Sequence, residues 1–161
     1  MLNFYPPEIY QLRCHQLFND YAAHIRTYIT QAEIEHIGAS SVEGAWSKGD
    51  LDIYVAVPEA QFRNSIDLLC RHLNFQEKLD TLHTHDLCML ESLNHDDVAI
   101  QLVTQQSDWH LFLDFRNALR QSKILLEQYN LLKCRSTQLD MQTYREQKSQ
   151  FIEQVLKNVK L

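Results

Sequence analysis

Residues Glu35 to Val57 read EHIGASSVEGAWSKGDLDIYVAV, and the chain is organised around them. The stretch holds all three glycines of the chain, the adjacent serines Ser40 and Ser41, Lys48, and the D-x-D pair Asp50 and Asp52. Read as a strand, Asp50 to Val57 alternates faces with period two, so Asp50 and Asp52 project to one side. Their Cα atoms then lie roughly 6.5–7 Å apart. Carboxylates so placed repel each other unless a cation sits between them or one takes a proton. Mg²⁺ favours one or two carboxylates together with phosphate oxygens. The preceding Gly38-Ala39-Ser40-Ser41 turn offers a flexible glycine, two hydroxyls and backbone N–H groups, which together can cradle an anion. A phosphate cradle beside a metal-holding carboxylate pair points to the handling of a nucleoside triphosphate. Asp-x-Asp alone is more often a solvated strand start; its combination with the glycine-serine turn is the specific signal.

The order is apolar-Gly-x-Ser, a connecting loop, then D-apolar-D-apolar. It resembles the signature of the nucleotidyltransferase superfamily and, within it, the GrpB family, whose usual form is close to EHIGSTSVPGLxxKPxIDI. Glu35, His36, Ile37, Gly38, Ser41, Val42, Gly44, Lys48, Asp52 and Ile53 match. Glu43 and Gly49 each stand where the family has proline, and Ala39 where it has serine. Asp50 completes the carboxylate pair at a position where many relatives are apolar. Further on, DWHLFLDFRNALRQ is similar to the family's W-x-x-x-L-x-F-R-x-x-L-R segment. Glu127, Tyr129, Leu132 and Lys133 fit its E-x-Y-x-x-L-K, and Tyr144, Lys148, Phe151 and Ile152 its Y-x-x-x-K-x-x-F-I. The resemblance thus runs from Glu33 to the C-terminus.

The resemblance implies an α+β domain: a small mixed sheet flanked by helices, with a helical C-terminal section. It implies transfer of a nucleotidyl group from a nucleoside triphosphate to an unidentified acceptor, dependent on Mg²⁺ or Mn²⁺. Asp50 and Asp52 are then the metal-holding catalytic residues. Gly38, Ser40, Ser41 and Lys48 are expected to bind the triphosphate, joined by Arg116 and Lys148, which the family pattern fixes as specific types. A link to coenzyme A metabolism also follows, since some dephospho-coenzyme A kinases carry a GrpB-like domain. This chain has no P-loop and is not such a kinase by that mechanism.

Composition is consistent with this. With 161 residues the chain is read as one domain, 1–161, long enough for a real core. A net charge of -6 argues against a broad nucleic-acid-binding surface but leaves room for a local basic pocket. No apolar run approaches about 18 residues, so no membrane span is expected. The N-terminus lacks the basic-then-apolar pattern of a signal peptide. Cys14, Cys70, Cys88 and Cys134 are scattered, which suits reduced thiols in the cytoplasm rather than disulfides or a zinc framework.

In chain order, Pro6 and Pro7 precede a helix from Glu8 whose apolar stripe runs through Ile9, Leu12, Leu17, Phe18, Tyr21, Ala22, Ile25 and Ile29. Ala32 to Ile37 reads as a strand with Ile34 and His36 on one face. His36 is placed either to support the metal-holding carboxylates from behind or to bond the glycine turn. A helix from Glu59 to Leu73 follows. Phe75 to Leu79 is a short strand or an extended link. Thr84 to Leu93 and Asp97 to Thr104 read as an antiparallel hairpin. Many nucleotidyltransferases carry a third carboxylate on a strand beside D-x-D, and Gln101, neutral, is the residue expected there. Glu91, Asp96 or Asp97 can substitute only where the fold brings one to the pair. His83 and His85 share a face if extended; contact with phosphate is one reading, and a metal site a lesser one. Helices are expected over Asp108–Gln121, with Ser107 as N-cap, Lys123–Cys134 and Asp140–Val159. A rival to the enzyme is a binding module of the same fold that holds a nucleotide or phospho-metabolite without turnover. A third reading is an interaction protein docking through its helical C-terminus.

Overall fold

In the computed structural model, which describes residues 1–160, Pro7 opens the helix α1 (Pro7–Tyr28). Its fixed φ and missing N–H suit a first helical position, and Glu8 follows in the first turn. Strands β1 (Glu33–Ile37) and β2 (Leu51–Val57) flank a 3-10 turn over Ala39–Ser41. Helix α2 (Phe62–Leu73) ends on Asn74, the one non-glycine residue with positive φ among the described residues, in the left-handed cap conformation. Strands β3 (Phe75–Glu77), β4 (Leu87–Ser92) and β5 (Val98–Thr104) follow. Helices α3 (Leu111–Gln121), α4 (Lys123–Arg135) and α5 (Met141–Val159) form the C-terminal section.

The sheet runs β1-β2-β5-β4-β3, with β2 and β5 parallel and every other pair antiparallel. The α+β architecture and the β4–β5 hairpin are therefore as expected. Antiparallel neighbours join by short turns, but the parallel pair needs a crossover, supplied here by α2 with β3 and β4. Leu51, Ile53, Val55 and Val57 of β2 pack with α1 and α2 in the main core. Tyr54 and Ala56 turn the other way and pack with Leu113 of α3. A third apolar cluster ties Val42 and Ala45 to Leu119 of α3, Tyr129 of α4 and Phe151 of α5. The helical section is thereby fastened to the loop between β1 and β2.

Three local expectations change. Tyr10 and Cys14 face the core in the first turns of α1, while Ile9 and Leu12 are exposed. The Tyr10 hydroxyl donates to the Ala45 carbonyl at 2.6 Å, which fixes this rotation. Ile124 and Leu131 of α4 and Met141 and Val159 of α5, each expected on an apolar stripe of its helix beside residues such as Tyr129 and Val155, are also exposed. Ser107 does not cap; its hydroxyl donates to the Thr104 carbonyl at 2.8 Å, and a 3-10 turn over Asp108–His110 leads into α3. Caps do close the next two helices: Ser122 accepts from the Leu125 amide at 3.2 Å and Asp140 from the Thr143 amide at 2.9 Å.

Candidate functional site

Register brings Ile37, the last residue of β1, opposite Asp52. The next residue must turn sharply against that carboxylate. Gly38 does so with φ +74°, and a Cβ there would lie 2.6 Å from Asp52 Oδ2. Only glycine meets both demands. The 3-10 turn that follows leaves its first amides without partners inside the turn. The loop from Val42 to Gly49 then returns to β2 and is held from two sides. Asn130 of α4 accepts from the Trp46 amide at 2.9 Å and donates to the Gly44 carbonyl at 3.0 Å. Arg13 of α1 donates to the Gly49 carbonyl at 2.6 Å.

Asp50 and Asp52 line one small cavity of about 30 Å³ together with Gly38, Lys48, Lys133 and Lys148. Tyr129 and Tyr144 complete its helical wall. Lys48 Nζ lies 3.9 Å from Asp50 Oδ2, and Ser47 donates to Asp50 Oδ1 at 3.2 Å. Lys133 is almost fully buried; its ammonium donates to the Trp46 carbonyl and sits 4.0 Å from the Tyr129 ring centroid. Among the described residues neither Lys133 nor Lys148 has a carboxylate oxygen within 4.0 Å.

Titration follows this crowding. Burial first, and the Asp50 carboxylate second, push the Asp52 carboxyl up to about 7, while Lys148 and Lys48 pull it down. Burial first, and Lys148 second, bring the Lys133 ammonium down to about 7. Lys148 is held above its ordinary value by Tyr129, with Tyr144, Asp52 and Asp50 acting the same way against burial. Two carboxylates sharing so little space fit a hard divalent cation, which would relieve the repulsion that Asp52 otherwise meets by binding a proton.

Several expected site residues lie elsewhere. Arg116 does not reach the cavity: its guanidinium donates to Glu35 at 2.7 Å and to the His36 carbonyl at 3.0 Å, clamping α3 to β1. The Ser40 hydroxyl turns to the α1 side, 2.8 Å from His36 Nε2. The Ser41 hydroxyl donates back to the Gly38 carbonyl at 2.6 Å, so both hydroxyls serve the turn itself. His36 stacks on Phe18 of α1, with centroids 5.0 Å apart, on the sheet face away from Asp52. Burial, and then His15, lower its pKa to about 3. Gln101 is paired with Tyr54, and Ala99 is the residue beside Asp52. One step earlier the Leu51 amide donates to the Asp97 carbonyl at 2.9 Å, which brings Asp97 alongside Asp50. Partial burial, and then Asp50, hold the Asp97 carboxyl above its ordinary range. Asp97 is thus the further acid near the pair, and Gln101 is not at the third-carboxylate position. Lys133 matches the family's E-x-Y-x-x-L-K, but among the helical cations only Arg116 and Lys148 were expected at the phosphate.

A mixed sheet with a D-x-D pair at its β2 mouth, closed by lysines from a C-terminal helical section, defines the class of this protein as an α+β domain with a carboxylate–lysine cavity between sheet and helices. The family model for GrpB protein matches residues 8–158. A UPF0157 protein of Vibrio cholerae serotype O1 is 44% identical over 155 residues, covering 96% of this chain and 82% of that one. The chain belongs to the GrpB family. The crystal structure of conserved protein GrpB from Enterococcus faecalis shares its fold with a TM-score of 0.78 at 20% identity, covering 98% of this chain and 96% of that one. Cid1, whose structure was described for its RNA terminal uridylyl transferase activity, is a distant likeness: TM-score 0.48, 12% identity, 77% of this chain and 43% of that one. No helix among the described residues is long and apolar enough to cross a membrane.

Proposed function

We propose that the protein binds a nucleoside triphosphate together with a divalent ion at Asp50 and Asp52, and transfers the nucleotidyl group to an acceptor. The observation that carries this reading is Lys133, a buried ammonium without a carboxylate partner, facing the cavity that Asp50, Asp52, Lys48 and Lys148 line. An uncompensated buried charge costs several kcal/mol. A phosphate supplies the missing anion, and an ion between the carboxylates supplies the missing cation.

When bound, Mg²⁺ or Mn²⁺ offsets phosphate charge and polarises the phosphoryl oxygens. The chain's own part is positioning and charge stabilisation. Lys48, Lys133 and Lys148 act on phosphate oxygens as point charges. The first amides of the Ala39–Ser41 turn add backbone donors. A cavity of about 30 Å³ has room for little more than a water or an ion, so admitting a triphosphate requires the wall of the cavity to open.

Ala99 favours a second reading. With an apolar residue beside Asp52, no carboxylate stands there to take a proton from the acceptor. A binding module without turnover is the reading this favours, while Asp97 alongside Asp50 favours the enzyme. The two readings separate in one experiment. Mg²⁺ with a triphosphate should raise the melting temperature, since a ligand that binds only the native state stabilises it. Asp52→Asn should abolish that rise. Pyrophosphate release in the presence of a metabolite extract selects the enzyme; a melting shift without release selects the binding module. A shift that survives unchanged in Asp52→Asn removes the metal from both.

A further inference from the structure

A second cluster of ligand-type side chains lies at the β3 end of the sheet. Glu77 closes β3, Cys88 lies near the start of β4, and His83 sits in the loop between them. Glu77 pairs with Leu90, so Glu77, Leu90 and Cys88 share one face. Cys88 Sγ lies 3.5 Å from Glu77 Oε1, and His83 Nε2 lies 4.0 Å from the same oxygen. All three ligand atoms fall within 4.8 Å of one another. A tetrahedral zinc ion with bonds of about 2.0–2.3 Å sets ligand-to-ligand edges of roughly 3.5 Å. Small side-chain adjustments therefore close the cluster around an ion.

The histidine is also oriented for the task. Its Nδ1 lies 3.0 Å from the Thr81 carbonyl, which fixes Nδ1 as the donor and leaves the Nε2 lone pair facing Glu77. Metal-ligating histidines are generally held this way, by a hydrogen bond on the far nitrogen. The Cys88 thiol is buried, so it has no access to an external substrate as a nucleophile.

We propose that Glu77, His83 and Cys88 form a binding site for a divalent ion of the zinc class, with the fourth position taken by water. One sulfur, one nitrogen and one oxygen donor suit Zn²⁺ or Co²⁺ and not Mg²⁺. Its ligands set it apart from the all-oxygen pair at Asp50 and Asp52. On binding, the Cys88 S–H bond gives way to an S–metal bond and the proton leaves to solvent, while the carboxylate and neutral imidazole bind as they stand. The ion joins the edge strand β3, its following loop and β4 at one point.

The test is a titration of the full, chelator-treated chain with Co²⁺, watching the near-ultraviolet thiolate-to-cobalt charge-transfer band. One equivalent of Co²⁺ should saturate the band, and Zn²⁺ should displace it. His83→Ala, in an exposed loop and so safe for folding, should weaken both ions more than about tenfold, as losing a ligand exceeds the usual cost of losing its outer partner. Cys88→Ala should abolish the band. Asp52→Asn and Cys134→Ser should leave it unchanged. Absence of the band in the wild type, its persistence in Cys88→Ala, or equal affinity in His83→Ala overturns the site.

Discussion

The two faces of β2 differ. Leu51, Ile53, Val55 and Val57 are each 0% exposed and meet only the apolar core under α1 and α2. On the opposite face Tyr54 and Ala56 are just as buried beneath α3, but Asp52, next along, opens on the cavity. One strand thus separates stability from chemistry by its period of two, and separates chemistry from packing along its length by where α3 ends and the glycine turn begins. The first face sets how firmly Asp52 is held; the second sets what it meets.

The largest effect expected is on the packing face. Ile53→Ala removes a fully buried side chain from the centre of the core and should cost about 2–5 kcal/mol, read as a lower urea midpoint at unchanged slope. The melting rise given by Mg²⁺ and a triphosphate should keep its size. Loss of that rise along with stability would show that the two faces do not act independently.

A smaller loss should follow at the junction of the faces. Gly38→Ala demands a left-handed backbone of a residue with a Cβ, and sets that Cβ 2.6 Å from Asp52 Oδ2. Strain of this kind is worth about 1–3 kcal/mol. The carboxylate must also swing away, so here, unlike in Ile53→Ala, the ligand-induced rise should shrink in parallel. A variant as stable as the wild type would mean that the turn does not press on Asp52.

These contrasts also explain what the sequence could reveal. Hydrophobic period and glycine spacing are local signals, and they carried β2, the hairpin, the order of helices and the common cavity of Asp50 and Asp52. Tyr21, Ala22, Ile25 and Ile29 of the α1 stripe are buried as expected, but in its first turns Ile9 and Leu12 are as apolar as Tyr10 and Cys14, and the choice depends on a hydrogen bond from Tyr10 to Ala45 far along the chain. Arg116 has the type of a phosphate ligand, yet a glutamate 81 residues away takes its guanidinium. Ser40 lies in a 3-10 turn, where alternation does not say which way a hydroxyl points. Gln101 stands at the centre of an apolar run, but parallel register places Ala99 beside Asp52, and register is a property of two strands together. Glu77, Asp80 and Asp86 all lie near His83 in sequence, and only the pairing of β3 with β4 selects Glu77, with Cys88, as its neighbour in space.

The smallest effect expected is a pH dependence that only the chemical face can give. Folding raises the Asp52 pKa from its ordinary value near 3.8 to about 7. Between those values the native state binds more protons than the unfolded one, so this group lowers stability as pH rises from about 4 to 7. Lys133, brought down to about 7, acts oppositely, raising stability from pH 7 towards the ordinary lysine value of about 10.4. His36, brought down to about 3, loses stability as pH falls below its ordinary value, and does so in wild type and variant alike. The difference between Asp52→Asn and wild type therefore reports Asp52 together with the groups it faces, Asp50, Lys48, Lys133 and Lys148. Without added metal the variant should match the wild type near pH 4 and gain a few degrees of melting temperature over it by pH 8. Saturating Mg²⁺ should erase that gain, because an ion beside Asp50 and Asp52 takes over the work of the bound proton. A flat difference curve would mean that Asp52 ionises at no cost, and the contrast between the packed and the charged face of β2 would lose its electrostatic half.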